Sequence, residues 1–210
     1  MVVCYTTLMQ RFIKRPLSYS QLASWEYSKE DWYRNYILGQ RSPASAEMLA
    51  GTHIGDQIGT DTCPLGLCNI GTKEYKLEGM VDDIRLVGYI DIYNPDTKHL
   101  HENKTSPNAK RWNQRKANEH GQLTMYALLL EQQDGVLPED ITMYLNFVPL
   151  RLAGVTYTTH NPVKWKQYPT HRTSEQVNAY KDYIRQTVAD MHEYITTVDK
   201  IPRPPAFNRV

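Results

Sequence analysis

Apolar side chains at positions 177, 180, 184, 188, 191 and 195 (Val177, Tyr180, Ile184, Val188, Met191, Ile195) recur at intervals of three and four, the spacing of one helix face. This predicts a long last helix capped by Thr173 or Ser174. A second apolar helix is expected over residues 118–132, ended by Asp134-Gly135 and Pro138. Between residues 75 and 104 the pattern changes to β-branched and aromatic runs, which predicts strands over 75–80, 84–93 and 98–104. The last two are joined by Asn94-Pro95-Asp96-Thr97, whose residue types suit a type I turn and make the pair a hairpin. Residues 141–147 alternate as a further strand, and residues 155–159 form another.

Toward the N-terminus, Ser18-Tyr-Ser-Gln21 has the capping-box pattern and opens a helix rich in aromatic residues: Trp25, Tyr27, Trp32, Tyr33 and Tyr36. These fit a core or a groove wall; stacking on bases is the alternative. A helix over 44–59 carries Gly51, Gly55 and Gly59 on one face. Glycine costs about 1 kcal/mol there relative to alanine, so close packing is expected along that face. Residues 61–71 read as loop and 201–205 as an extended tail. The sum is one α/β domain over residues 1–210, a mixed sheet core flanked by helices.

Composition changes this picture little. The chain is 40% apolar and 22% charged, ordinary for a soluble protein, and no window approaches the 18 apolar residues of a membrane span. The N-terminus lacks a basic stretch followed by an apolar one, so no signal peptide and a cytoplasmic location are expected. A net charge of +1 does not announce a polyanion partner. The local distribution says more: from Lys104 to Lys116 there are five basic residues, including Lys110, Arg111 and Arg115, and no acid. The run is either a solvated face or a set of phosphate contacts on DNA. Cys4, Cys63 and Cys68 include no CxxC pair and are read as reduced thiols.

The hairpin carries the chemistry. Asp91 lies on one strand and Glu102-Asn103-Lys104 on the next, with Glu102 and Lys104 two apart and therefore on one face. Two carboxylates and a lysine at one place suit phosphodiester hydrolysis: the carboxylates hold a divalent cation, and the lysine offsets developing negative charge or orients water. The same three residues would also make ordinary cross-strand ion pairs. On the following helix Gln122 and Tyr126 share a face, and a polar Gln122 at the edge of an apolar helix needs a partner.

Gly88-Tyr-Ile-Asp91, Glu102-Asn-Lys-Thr-Ser106 and Gly121-Gln-Leu-Thr-Met-Tyr126, in that order, resemble the RecB-like branch of the PD-(D/E)xK nucleases. Leu17-Ser-Tyr-Ser-Gln-Leu22, Tyr33-x-x-Tyr36-x-x-Gly39 and Ile201-Pro-Arg-Pro204 are similar to that family's opening helix and exit. The resemblance spans residues 17–205. It implies a divalent-metal-dependent deoxyribonuclease using Mg2+ or Mn2+, most simply a stand-alone exonuclease of DNA recombination, repair or processing. Asp91 and Glu102 would be metal ligands, with the backbone carbonyl of Asn103 as a third. Lys104 would be the catalytic lysine, and Gln122 and Tyr126 would support it.

Two departures stand out. Family members commonly write Gly-Thr-x-x-His with a metal-binding histidine; here Gly51-Thr-His53-Ile-Gly55 puts Gly55 in that place. If Gly55 faces the metal, His53 turns away and Asp56 is left an outer contact; a shifted helix start would instead make His53 a ligand. Cysteines for an iron–sulfur cluster are missing from the first helix and the C-terminus, so no cluster is expected. A CRISPR-adaptation nuclease without a cluster, or a degenerate member that binds DNA without cutting it, are the alternatives. The chain has no GxxxxGK[ST] phosphate loop, so processive work on duplex DNA would need a helicase or recombination partner, or a ring-shaped oligomer.

Overall fold

The computed structural model describes residues 15–41, 43–57, 70–160 and 163–198. All three cysteines, Gly59, residues 61–69 of the expected loop and the tail over 201–205 lie outside the described residues. Six strands form one mixed sheet: β1 (Thr72–Val81), β2 (Ile84–Asn94), β3 (His99–Ser106), β4 (Thr142–Ala153), β5 (Thr156–Thr159) and β6 (Lys166–Thr170). The order β1-β2-β3-β4-β5 is antiparallel except for β3 with β4, and β6 also pairs with β4. The β3-to-β4 crossover carries a short helix α4 (Gln114–Asn118) and the apolar helix α5 (Gly121–Asp134). Parallel neighbours need such a crossover.

The β2–β3 turn forms because the Asn94 side chain accepts the N–H groups of Asp96 (3.0 Å) and Thr97 (3.1 Å), after which Lys98 takes a left-handed conformation. Helix α5 is apolar on every side and is buried from Leu123 to Leu130, as a central helix must be. It lies against β1 and β2 at two glycines. A Cβ on Gly88 would come within 2.9 Å of the Tyr126 ring, and one on Gly79 within 2.7 Å of Leu129. At its C-terminal end Gln132 and Gln133 act as a surrogate strand. Gln132 accepts from Met80 N–H and donates to Met80 O (2.9 and 2.8 Å), and Gln133 accepts from Glu78 N–H (2.9 Å). The outer edge of β1 is thereby covered, which blocks pairing with another chain.

Helices α1 (Tyr19–Tyr27) and α6 (Ser174–Val198) complete the large core with α5, and α3 (Ala46–Gln57) covers the other face. Neighbours Phe147 and Val148 on β4 belong to the large and the small cluster respectively, and successive strand side chains point to opposite faces. Trp25, Trp32 and Tyr33 are core, whereas Tyr27 is 87% exposed.

Several expectations need correcting. The aromatic segment is not one helix: α1 stops at Ser28, whose hydroxyl caps the short helix α2 (Lys29–Trp32), and a π-helical turn (Tyr33–Ile37) follows. The capping box is not made either. Ser18 gives no side-chain cap and Gln21 donates to the carbonyl of Pro16 (2.9 Å). Close packing on the glycine face is realised at Gly51, where a Cβ would meet Thr105 Oγ1 at 2.9 Å, but not at Gly55, where it would meet nothing within 4 Å. The expected loop carrying the basic run contains a 3-10 turn (Ala109–Arg111) and α4, and strand β6 was not anticipated.

Candidate active site

The site forms where β2 and β3 separate. Their ladder holds only over Ile92↔His101, Tyr93↔Leu100 and Asn94↔His99. Further along β2 the same gap is closed by a different segment: Leu17 donates to Arg85 O (2.8 Å) and accepts from Val87 N–H (3.0 Å). Between these two clamps the backbone groups of the splayed strands turn to side chains. Asp91 Oδ2 accepts the Asn103 N–H at 2.6 Å, and the carbonyl of Tyr89 accepts from the Tyr126 hydroxyl. Asp91 is thus fixed to the backbone beside Glu102 and Lys104 instead of pairing across a regular hairpin.

Glu102 and Lys104, on one face of β3, point toward the N-terminal turn of α5. Lys104 Nζ lies 2.6 Å from Glu102 Oε1 and donates to Gln122 Oε1 at 2.7 Å. Gln122 Nε2 then donates to the Tyr126 hydroxyl (2.6 Å), which stands 3.2 Å from Glu102 Oε2. The ring Glu102–Lys104–Gln122–Tyr126 closes on itself. Lys104 faces a cleft of about 390 Å³, lined also by Asp91, Asn103, Thr105, Gly55, Asp56 and Glu74.

Burial dominates the electrostatics. Glu102 is 2% exposed, and desolvation pushes its carboxyl up to about 7, with the Asp91 charge adding to this and Lys104 and Tyr126 opposing it. Asp91 is raised by burial too, against the pull of Lys104 and the Asn103 N–H. Burial, the largest single influence, would favour loss of the Lys104 proton, but the charge and hydrogen bond of Glu102, together with the Asp91 charge, outweigh it and the ammonium is held. One buried and one half-buried carboxylate facing one ammonium leave a surplus of negative charge, which a cation would relieve. Among the described residues no three His, Cys, Asp or Glu side chains converge enough to hold a metal unaided. A hard divalent ion that keeps several waters and takes one or two carboxylates nevertheless suits Asp91, Glu102 and the Asn103 carbonyl.

Behind the site a polar chain supports Asn103. Asn146, fully buried on β4, donates to Asn103 Oδ1 (2.9 Å) and accepts from Gln167 on β6 (3.0 Å). The signal for it was a lone asparagine in an apolar strand. His53 is exposed and does not line the cleft, whereas Gly51, Thr52, Ile54, Gly55 and Asp56 of the same helix do. Lys110, Arg111, Arg115 and Lys116 are exposed and lie outside the cleft, and Arg115 pairs with Glu119 at 3.0 Å.

A mixed sheet with a splayed hairpin carrying Asp, Glu-x-Lys and a following helix defines a class of phosphodiester-cleaving proteins. Residues 57–203, more than half of the chain, match the model of the PD-(D/E)XK nuclease superfamily, and the chain belongs to that superfamily. The fold is similar to a phage-related exonuclease from Haemophilus somnus 129PT (TM-score 0.58, 12% identity, 92% of this chain and 95% of that one). It is also similar to a putative exonuclease from Eubacterium rectale (TM-score 0.57, 10% identity, 98% and 96%). No curated protein matches.

Proposed function

We propose that this chain is a divalent-cation-dependent DNA exonuclease of recombination, repair or end processing. The observation that carries the reading is the convergence of Asp91, Glu102 and Lys104 at the β2–β3 splay, with Lys104 held between Glu102 and Gln122. A bound Mg2+ or Mn2+ would polarise the scissile phosphate and lower the pKa of a water. The chain's own part is positional. Asp91 and Glu102 would hold the ion with the Asn103 carbonyl. The Lys104 ammonium would sit beside the phosphate oxygens, where negative charge grows in the transition state. Gln122 and Tyr126 fix Lys104 so that no reorganisation is needed at that moment. An intact ring of mutually bonded polar groups, two of them buried, favours an enzyme over a degenerate binder. The exonuclease names of both similar folds support action at an end.

The test is cleavage of linear and covalently closed circular DNA with Mg2+, Mn2+ or chelator. Linear DNA should be degraded only with metal, and the closed circle should survive. Asp91→Asn, Glu102→Gln and Lys104→Met should each lower the rate by roughly 10³-fold or more while remaining folded. Because the three act as one unit, a double variant should be little worse than a single. Unimpaired cleavage by Asp91→Asn would overturn the site; cutting of the circle would replace exonuclease by endonuclease.

A further inference from the structure

Helix α3 forms one wall of the cleft, and at Gly55 that wall carries no side chain: even an added Cβ would find nothing within 4 Å. Across the cleft stands Glu74 of β1. Its neighbours Lys73 and Tyr75 are in register with Ile92 and Ile90, which places Glu74 opposite Asp91. The pairing lapses at Glu74 itself, where the backbone turns left-handed (φ 53°). That conformation costs a non-glycine residue on the order of 1 kcal/mol. The wall is tied in place, because Lys73 Nζ donates to the Asp56 carbonyl (3.2 Å) and so joins β1 to the end of α3.

We propose that Glu74 is a further cation ligand of this site, supplied from β1 to the space that Gly55 leaves open. The proposal rests on the metal-dependent reading above. Glu74 and Asp91 line the same cleft as Lys104, Asn103 and Asp56, and of its other carboxylates Glu74 is the one that the sheet register sets opposite Asp91. Glu74 and Asp91 are two carboxylates lining one space, where like charges repel. A divalent ion between them turns that repulsion into attraction. Glu102, bonded to Lys104 and Tyr126, would hold the ion from outside the cleft lining, so the coordination positions toward the cleft need another donor, and Glu74 is an exposed carboxylate on that wall.

The experiment is Mn2+ binding to the full chain by calorimetry and by electron paramagnetic resonance, without DNA. The proteins are wild type, Glu74→Gln, Asp91→Asn and, as a control from the same strand, Glu78→Gln. Glu74→Gln should weaken Mn2+ binding at least about tenfold, as loss of a metal-site partner does, with an unchanged melting curve. Glu78→Gln should bind as wild type. Adding Gly55→Glu to Glu74→Gln should recover most of the lost affinity, because it returns a carboxylate from the opposite wall. Wild-type affinity in Glu74→Gln, with Asp91→Asn impaired, would overturn the proposal and leave the metal-dependent reading standing. Absence of Mn2+ binding by the wild type would overturn both.

Discussion

Lys104 owes its position to a tyrosine, and the tyrosine owes its position to a glycine. The Tyr126 hydroxyl accepts from Gln122 and donates to the Tyr89 carbonyl, so it anchors the partner of Lys104 to the backbone of β2. The ring reaches that carbonyl only because Gly88 presents no side chain: a Cβ would stand 2.9 Å from Tyr126 Cε1 and 3.3 Å from Leu129. Gly88→Ala should therefore push the ring away. We expect a stability loss of about 1–3 kcal/mol, the usual cost of overpacking, together with a rate loss of at least tenfold. Gly79→Ala is the control, since its Cβ meets Leu129 and the flexible Gln132 amide farther along the same helix. It should lose stability in a urea titration and keep its cleavage rate. Equal rate losses in both would mean that Tyr126 matters only for packing.

Among the elements, α4 and α5 are set at their junction by one residue from a distant strand end. Arg172 is 1% exposed with no carboxylate partner among the described residues, and burial pulls its guanidinium down to about 10. All of its donor groups are used: on Thr124 (2.8 Å), on Thr170 and the His171 carbonyl (2.9 and 2.7 Å), and on the carbonyls of Ala117 and His120 (3.0 and 3.1 Å). The last two belong to the end of α4 and to the residue that precedes α5, just before Gln122. Arg172→Met should strand these acceptors and cost roughly 3 kcal/mol. Arg172→Lys should rescue little, because an ammonium cannot reproduce the planar fork. A melting temperature within a degree of wild type for Arg172→Met would refute this.

This junction also marks the limit of what the sequence reveals. The hairpin and α6 are legible because periods of two and of three to four are local properties, and α5 because its apolar run and its Asp134-Gly135 stop are local too. The shared face of Glu102 and Lys104 follows from the same period. The break of the helix before Gly121 is not legible, because it is held by an arginine some fifty residues later. Strand β6 is short and polar and contains Pro169, so neither alternation nor composition singles it out. The β2–β3 splay depends on Leu17 inserting beside Leu86, a contact between distant segments. Glu74 is invisible for a similar reason, since its role depends on which residue stands across the sheet and on an empty place in another helix.

Over the whole molecule the net charge of +1 hides an uneven distribution along the chain. Asp91, Glu74 and Asp56 line the cleft and Glu102 is buried behind Lys104, while Lys110, Arg111, Arg115 and Lys116 lie on the segment between β3 and α5. A polyanion approaching such a site needs basic residues outside it, because the cleft itself repels phosphates until a cation is bound. The four basic residues are not equivalent. Arg115 is already paired with Glu119, although an exposed i,i+4 pair of this kind is worth only a few tenths of a kcal/mol and yields readily to a phosphate. Lys110 and Arg111 have no carboxylate within ion-pair distance among the described residues, and their turn is shaped by Asn108, whose side chain accepts the Lys110 N–H (3.2 Å). If this surface carries the duplex, each phosphate contact removed lowers the slope of log affinity against log salt by about 0.9. Lys110→Gln combined with Arg111→Gln should then reduce the slope by nearly 2 and weaken binding alike on unrelated sequences. Arg115→Gln, which also releases Glu119, should reduce it by no more than about 1. Binding measured by fluorescence anisotropy with Ca2+ replacing the catalytic ion, across a salt series, gives all three slopes; an unchanged slope in the Lys110/Arg111 variant would make the basic run a solvated surface.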